Sequence, residues 1–249
     1  VLDIGCGTGH HVNYLTEYFK NTIGIDQSIE MVNTAKHKYP HCNYYHIDIF
    51  DHDTNQELDT TYNIITCLGK TIYCIQDKEN LINIIHRFLE PNGFFFVHLI
   101  DKDTFLPQNN YINHNVVYNS NKYNRDSRIN KYIIKFKDYE YVSEYNIIDN
   151  ENNNENNNNI NNINNINNEY NNKYSNDYTI NNIPYSQYIE KFTNNSNSNN
   201  IRKYEYNLYL PDNIELINFI KNNGFKYYKK LDLANVGYKN QYIYAFIKS

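Results

Sequence analysis

Apolar and polar positions alternate in two distinct rhythms along the first part of the chain. Short runs rich in β-branched and aromatic residues predict strands at Val1 to Ile4, Thr22 to Ile25, Cys42 to Ile47, Tyr62 to Cys67 and Phe94 to Leu99. Between them the apolar positions recur at helical spacing. Val12, Leu15 and Phe19 predict one helix, Val12 to Phe19. Ser28 predicts the cap of a second, with Glu30 in its first turn and Ile29, Val32 and Ala35 as its inner face, before Pro40 stops it. Asp77 opens a third, with Leu81, Ile84, Ile85 and Phe88 inward, and EPNG at Glu90 to Gly93 predicts a turn into the fifth strand. Strand and helix alternating in this way predict a mostly parallel sheet covered on both faces. Right-handed crossovers make it doubly wound, with ligands expected at the carboxyl ends of its strands.

After residue 101 the rhythm changes. Ile133 to Ile148 reads as long strand material, and Tyr185 to Phe192 and Ile201 to Leu210 as two further strands. These three segments are expected to pair as an antiparallel insertion over the active edge. Glu151 to Asn172 is nearly pure asparagine and cannot bury enough apolar surface to offset ordering entropy. Disordered Asn-rich segments are expected over 150–182 and 193–200. The stretch PDNIELINFIKNNGF then predicts a helix started by Pro211 and Asp212, striped by Ile214, Ile217 and Ile220, and stopped at Gly224. Phe225 to Leu231 and Gln241 to Ile247 close the chain as two strands antiparallel to each other. The fold expected is α/β, a Rossmann-like, doubly wound and mostly parallel seven-stranded sheet. It carries an antiparallel strand insertion and a low-complexity insertion. Residues 1–101 form the binding core, 102–210 the insertion and 211–249 the closing part of the core.

Composition narrows the function classes. A net charge of −5 argues against a strong general affinity for nucleic acid. The local exception is the basic stretch Lys122 to Lys137, read first as a solvated strand and turn. The 27 tyrosines accompany an abundance of Asn, Ile and Lys, a bias with AT-rich codons behind it, so they are weak witnesses for base stacking. Cys6, Cys42, Cys67 and Cys74 form no CxxC pair and no zinc-like cluster, which predicts reduced thiols, no metal and a cytoplasmic setting. No apolar run approaches the roughly 18 residues of a membrane helix, so no membrane partner is expected. Because the first residue already lies in a strand, the chain reads as a piece of a longer one, with any targeting segment outside it.

The chemistry concentrates in the opening loop, where Gly5, Gly7 and Gly9 follow the first strand. A dinucleotide fingerprint, GxGxxG, would place its third glycine at residue 10, which is His10. Asp3 at the entry of the loop would also repel a pyrophosphate. A cationic or zwitterionic ligand without phosphate suits the loop better, and S-adenosylmethionine has that charge pattern: a positive amino group and sulfonium, and a carboxylate that backbone N–H groups can hold. Glycine lets the backbone approach such a ligand and adopt positive φ.

VLDIGCGTG resembles the first motif of the class I S-adenosylmethionine-dependent methyltransferases, hhDhGCGxG, at every position. GIDQSIEM resembles that family's second-strand segment, HIDIF its third, TCLGKTIYCI its fourth, and FLEPNGFFFVHL its LKPGG turn and fifth strand. The resemblance covers residues 1–101 and, loosely, 201–249. It implies cofactor contacts from Asp3, Gly5, Cys6, Gly7, Thr8 and Gly9. It gives Asp26 to the ribose, Gln27 to the cofactor site, Met31, Asp48 and Ile49 to the adenine, and Leu68 and Gly69 to the cofactor and acceptor pocket. Tyr62-Asn63 stands where the family has Phe-Asp. Gly69-Lys70-Thr71 stands where glycine-type enzymes have Gly-Asn-Ser, so their substrate does not transfer. No Asn/Asp-Pro-Pro-Tyr motif follows the fourth strand, unlike the amino-methylating nucleic-acid enzymes.

The resemblance implies methyl transfer to a small-molecule acceptor. An RNA or protein acceptor is a second reading, a non-catalytic cofactor-binding scaffold for a partner subunit a third, and an oxidoreductase a distant fourth. Methyl transfer is an in-line displacement for which positioning suffices, so no dedicated base is required. Lys70, Tyr73, His98 and Asp101 are the candidates at the acceptor side. Lys70 beside a cationic cofactor, with the basic stretch from Lys122, hints at an acceptor bearing carboxylate or phosphate.

Overall fold

The carboxyl ends of the parallel strands set the working edge of this protein, and short apolar strands fix where those ends lie. The computed structural model describes residues 1–51, 58, 60–101, 129–148, 185–196 and 201–249. The chain divides into two compact units, Val1–Leu106 with Asp212–Ser249, and Pro107–Pro211.

The first unit is built on a seven-stranded sheet. Its strands are β1 (Leu2–Ile4), β2 (Ile23–Asp26), β3 (Asn43–His46), β4 (Tyr62–Cys67), β5 (Leu89–Ile100), β10 (Phe225–Asp232) and β11 (Gln241–Lys248). The spatial order is β10-β11-β5-β4-β1-β2-β3. The order reverses at β1, which pairs in parallel with β2 on one side and β4 on the other, and this is where such sheets bind ligands. Only β11 runs against its neighbours β5 and β10.

Helices cover both faces of this sheet. On one face, Val12 of α1 (His10–Thr16) and Val32 and Ala35 of α2 (Ile29–Lys38) bury with Cys6, Cys42 and Tyr44. A side chain on Gly24 of β2 would meet Val12 within 2.6 Å, so α1 sits directly on the strand. The expected α1 stripe is cut short: the helix ends at Thr16, leaving Phe19 outside it and exposed. Ile29, expected inward on α2, is exposed as well, because it occupies the first helical position beyond the Ser28 cap. A four-residue helix that sequence periodicity does not reveal, α3 (Thr71–Cys74), follows β4. Next comes α4 (Lys78–Phe88), capped by the Asp77 carboxylate on the Asn80 N–H at 2.9 Å. Its expected inner face, Leu81, Ile84, Ile85 and Phe88, is buried throughout.

The EPNG turn lies inside the span of β5. Leu89 pairs with Tyr62, and the next pair is Ile64 with Phe94, so residues 90–93 bulge around Asn92 at φ 63°. The last helix, α5 (Asn213–Asn222), starts where Asp212 accepts from the Ile214 and Glu215 N–H groups, and Gly224 past its end has φ 87°. Its buried face is Leu216, Phe219 and Ile220, whereas Ile214 is 70% exposed and Ile217 half-buried. The buried stripe is thus rotated by a fraction of a helical turn from the expected Ile214, Ile217 and Ile220, an error open to any helix with apolar residues on two adjoining faces.

The second unit contains a four-stranded antiparallel sheet, β6 (Ile129–Lys135), β7 (Tyr139–Ile148), β8 (Tyr185–Asn194) and β9 (Ile201–Tyr209), in that order. The single segment expected at Ile133 to Ile148 is a hairpin, turning at Phe136 to Asp138 where the Phe136 N–H meets the Tyr139 carbonyl at 2.8 Å. Thr193 and Asn194, expected to be disordered, are the last residues of β8, and Asn195 is tied by its side chain to the Phe136 and Lys137 carbonyls. The expected Asn-rich segment 150–182, residues 197–200 and the basic residues 122–128 lie outside the described residues. Among the described residues no helix is long and apolar enough to cross a membrane.

The two faces of α5 give a direct check on this packing. Leu216→Ala should destabilise the protein by about 2–5 kcal/mol in urea unfolding. Ile214→Ala should change it by about 0.5 kcal/mol or less. Equal effects would mean that α5 presents a different face to the core.

Candidate functional site

The glycine loop owes its shape to three closely spaced demands for positive φ. Gly5, Gly7 and Gly9 have φ of 69°, 54° and 84°. Two of them are also sterically locked. A Cβ on Gly5 would stand 2.5 Å from the Thr71 hydroxyl, and one on Gly9 would stand 2.5 Å from the Tyr44 hydroxyl. A Cβ on Gly7 would meet nothing within 4 Å, and the same holds for Gly69 in the loop after β4. The first and third glycines therefore serve the fold, while Gly7 and Gly69 border open space.

Asp26, the last residue of β2, ties the loop down. One carboxylate oxygen accepts from the Gly7 N–H at 2.8 Å and the other from the Ser28 N–H at 2.9 Å. Ser28 in turn caps α2, accepting from the Met31 N–H at 3.3 Å. An ionised carboxylate has roughly four acceptor positions, so Asp26 keeps capacity for further donors. Gln27 beside it is exposed, and its carbonyl meets the His46 ring at 3.0 Å. Met31 is 39% exposed in the first turn of α2.

Asp3 is 1% exposed on β1. One of its oxygens accepts from the Thr66 hydroxyl on β4 at 2.5 Å, and the other is buried without a partner among the described residues. Burial pushes the carboxyl up to about 7, with the nearby Asp26 charge adding to the rise and the Thr66 bond opposing it. A buried acid with one unsatisfied oxygen suits a cationic ligand group, which would stabilise its ionised form. Sequence reasoning misses Thr66, which shows there only as a polar residue in the apolar strand YNIITC.

Beyond β3, Asp48 is exposed and accepts from the Phe50 N–H at 2.9 Å, while Ile49 is buried. Leu68, Gly69 and Lys70, half-buried, form the loop after β4. Thr8 is half-buried in the glycine loop. Cys6 points the other way, into the cluster beneath α1 and α2, where burial pushes its thiol up to about 12. Its place in the loop is held by its backbone, whose N–H donates to the Ile25 carbonyl at 2.9 Å.

The acceptor-side candidates separate clearly. Tyr73 is 1% exposed, and its hydroxyl takes the Ile100 N–H at 2.6 Å and lies 3.4 Å from the Ile100 carbonyl. Those contacts fasten α3 to the end of β5, and burial raises the pKa of the hydroxyl. Lys78 strengthens the same region from within, its ammonium 2.6 Å from the Ile75 carbonyl at the end of α3. Asp101 follows β5, its N–H on the Asn240 carbonyl at 2.9 Å. His98 is half-buried on β5, level with the loop after β4, with the Gly69 backbone and the Gln241 side chain beside its ring. Among the described residues no group of three or more His, Cys, Asp or Glu could hold a metal.

A mostly parallel sheet with its glycine loop at the switch point, two acids at that loop and open space beside Gly7 makes a Rossmann-like ligand edge. The comparisons with known proteins agree. Residues 1–93 match the family model for the methyltransferase domain. An uncharacterized methyltransferase of Schizosaccharomyces pombe is 31% identical over 116 residues, 42% of this chain and 40% of that protein. The dTDP-3-amino-3,6-dideoxy-alpha-D-glucopyranose N,N-dimethyltransferase of Streptomyces fradiae is 27% identical over 88 residues, 35% of this chain and 33% of that one. An S-adenosylmethionine-dependent methyltransferase from Clostridium acetobutylicum shares the fold, with a TM-score of 0.65 at 15% identity over 100% of this chain and 83% of that one. Residues 1–93 are thus similar to a methyltransferase domain, and the fold is the one seen in a solved S-adenosylmethionine-dependent methyltransferase. The chain spans 40% or less of the length of these two curated relatives.

Asp3 makes the stability of the ligand-free protein depend on pH. Its folded value of about 7 lies above the ordinary 3.8, so the folded state holds a proton that the unfolded chain has lost between those limits. Stability from this group therefore falls as pH rises from about 4 to 7, by up to about 4 kcal/mol. Urea unfolding at pH 5 and pH 8 should show a larger loss for the native chain than for Asp3→Asn, which cannot ionise. Equal losses would remove Asp3 as the cause.

Proposed function

We propose that this protein transfers a methyl group from S-adenosylmethionine to a small-molecule acceptor that carries an anionic group. The observation that carries the reading is the buried Asp3 oxygen left without a partner among the described residues, beside a glycine loop that opens at Gly7. Asp3 would hold the amino group of the cofactor. Asp26, with acceptor capacity beyond its two backbone bonds, would take the ribose hydroxyls. Asp48 would accept from the adenine amino group, with Met31 and Ile49 against the ring. Leu68 and Gly69 would border the methyl-bearing end. When bound, S-adenosylmethionine supplies a methyl group on a positively charged sulfur. The chain itself then has to orient the acceptor and keep water away, which can provide most of the rate.

Lys70 supports the anionic acceptor. It follows Gly69 directly, so its ammonium would offer a favourable charge to an anionic group of the acceptor. The Streptomyces fradiae relative, by its name, acts on a dTDP-linked amino sugar, an acceptor of that charge. The RNA and protein readings rest on the basic stretch from Lys122, whose residues 122–128 lie outside the described residues. The scaffold reading predicts binding without turnover.

S-adenosylhomocysteine at 100 times its Kd should stabilise the protein by about 2.7 kcal/mol, read as a rise in Tm. Asp26→Ala and Gly7→Ala should each abolish that rise; Gly7→Ala fills the open space while leaving Asp26 in place. Labelled methyl from S-adenosylmethionine, offered with a cell extract, should appear in the small-molecule fraction. Label in RNA or protein would redirect the reading, and no binding by a folded protein would end it.

A further inference from the structure

Among the described residues, two buried polar atoms on one face of the large sheet lack partners, and only one of them belongs to the cofactor. Strand register shows which side each residue occupies. Asp3 pairs with Thr66, Thr66 with Phe96, and His98 lies two residues further along β5, so Asp3, Thr66, Phe96 and His98 share a face. Asp3 leaves an oxygen without a partner there, and His98 leaves Nε2 buried without one. An unsatisfied buried polar atom costs free energy, so a protein that keeps one at a ligand edge gains from what binds there.

The state of the His98 ring follows from its neighbours. The Gly69 backbone and the Gln241 side chain beside the ring favour its charged form, but burial outweighs them and lowers its pKa, and His11 on α1 opposes a second positive charge. The groups facing the ring are thus Gly69 after β4, Gln241 on β11 and His11 on α1. Burial thus favours the neutral ring, the form able to accept a proton, and Nε2 is the ring nitrogen left without a partner among the described residues. Gly69, whose Cβ position is open, lies against the ring and leaves room for a ligand.

We propose that Nε2 of His98 takes the proton from the acceptor atom that becomes methylated, which makes that atom an amine or hydroxyl. This rests on the methyltransferase reading above. The acceptor's lone pair forms the bond to the methyl carbon as the carbon–sulfur bond breaks, its electron pair staying on sulfur. The proton released from nitrogen or oxygen passes to Nε2, giving an imidazolium that returns it to water. A positioned base of this kind contributes roughly 10²- to 10⁴-fold.

The test compares the native chain with His98→Asn and His98→Gln. S-adenosylhomocysteine binding and its Tm rise should be unchanged in both variants, because His98 does not hold the cofactor. Transfer of labelled methyl from S-adenosylmethionine into the small-molecule fraction of the extract should fall at least about 100-fold in both. Transfer within about threefold of native in either variant, with binding intact, overturns the role of His98 alone. Loss of binding together with transfer also overturns it, since the residue would then be structural. A native chain that neither binds nor transfers removes the methyltransferase reading and this proposal with it.

Discussion

One carboxylate joins the two segments on which the site depends. Asp26 ends β2 and bonds both the Gly7 N–H of the glycine loop and the Ser28 N–H that begins α2. Within the loop the Gly9 N–H donates to the Cys6 carbonyl at 3.0 Å, and the Gly7 N–H between them takes its acceptor from outside, the Asp26 carboxylate. By accepting from Gly7, Asp26 sets the loop against the sheet. By accepting from Ser28, it fixes the start of α2, whose first turn carries Met31. Packing beneath completes the arrangement, with Tyr44 under Gly9 and Thr71 under Gly5 where neither glycine could tolerate a side chain.

The same loop shows how charge selects a ligand. Helix-opening glycine loops favour anions through their N–H groups. In this loop Asp26 already occupies one of those groups, and Asp3 stands buried behind it with an unpaired oxygen. A pyrophosphate would face two acids in a setting of low dielectric, where like charges repel strongly. A ligand with a cationic group meets the opposite situation, and its arrival relieves the desolvation that holds Asp3 near 7. The preference thus comes from the acids around the glycines more than from the glycines themselves.

Much of this is legible in the sequence, and the exceptions have physical reasons. Strand and helix order in 1–101 and 211–249 follows from periodicity, because two-sided burial makes each element apolar at its own spacing. The glycine loop, Asp26 and Asp48 stand at strand ends, where chemistry-bearing residues are readable by position. A hydroxyl beside a ligand loop looks the same in sequence whether or not it is tied to backbone, so the bond of Tyr73 to Ile100 is visible only in the structure. Cys6 lies within the motif, yet its side chain belongs to the core beneath. Thr66 and Gln241 acquire meaning only through register, Thr66 opposite Asp3 on β1 and Gln241 opposite Ile100 on β5.

The end of β5 explains how a long insertion is tolerated there. Ile100 is the last strand residue before the chain leaves the sheet, and Asn213 is the first helical residue after it returns. The Asn213 side chain donates to the Ile100 carbonyl at 2.9 Å, the Tyr73 hydroxyl takes the Ile100 N–H, and the next N–H, that of Asp101, meets Asn240. Both ends of the insertion are therefore fastened to the same point of the sheet. Loop-closure entropy grows only by about 0.6 kcal/mol for each doubling of length, so with its ends already joined the segment between them can lengthen at little cost to the core. An asparagine-rich expansion between 149 and 184 needs no compensating change in the sheet, because the strand that carries His98 is anchored before the insertion begins.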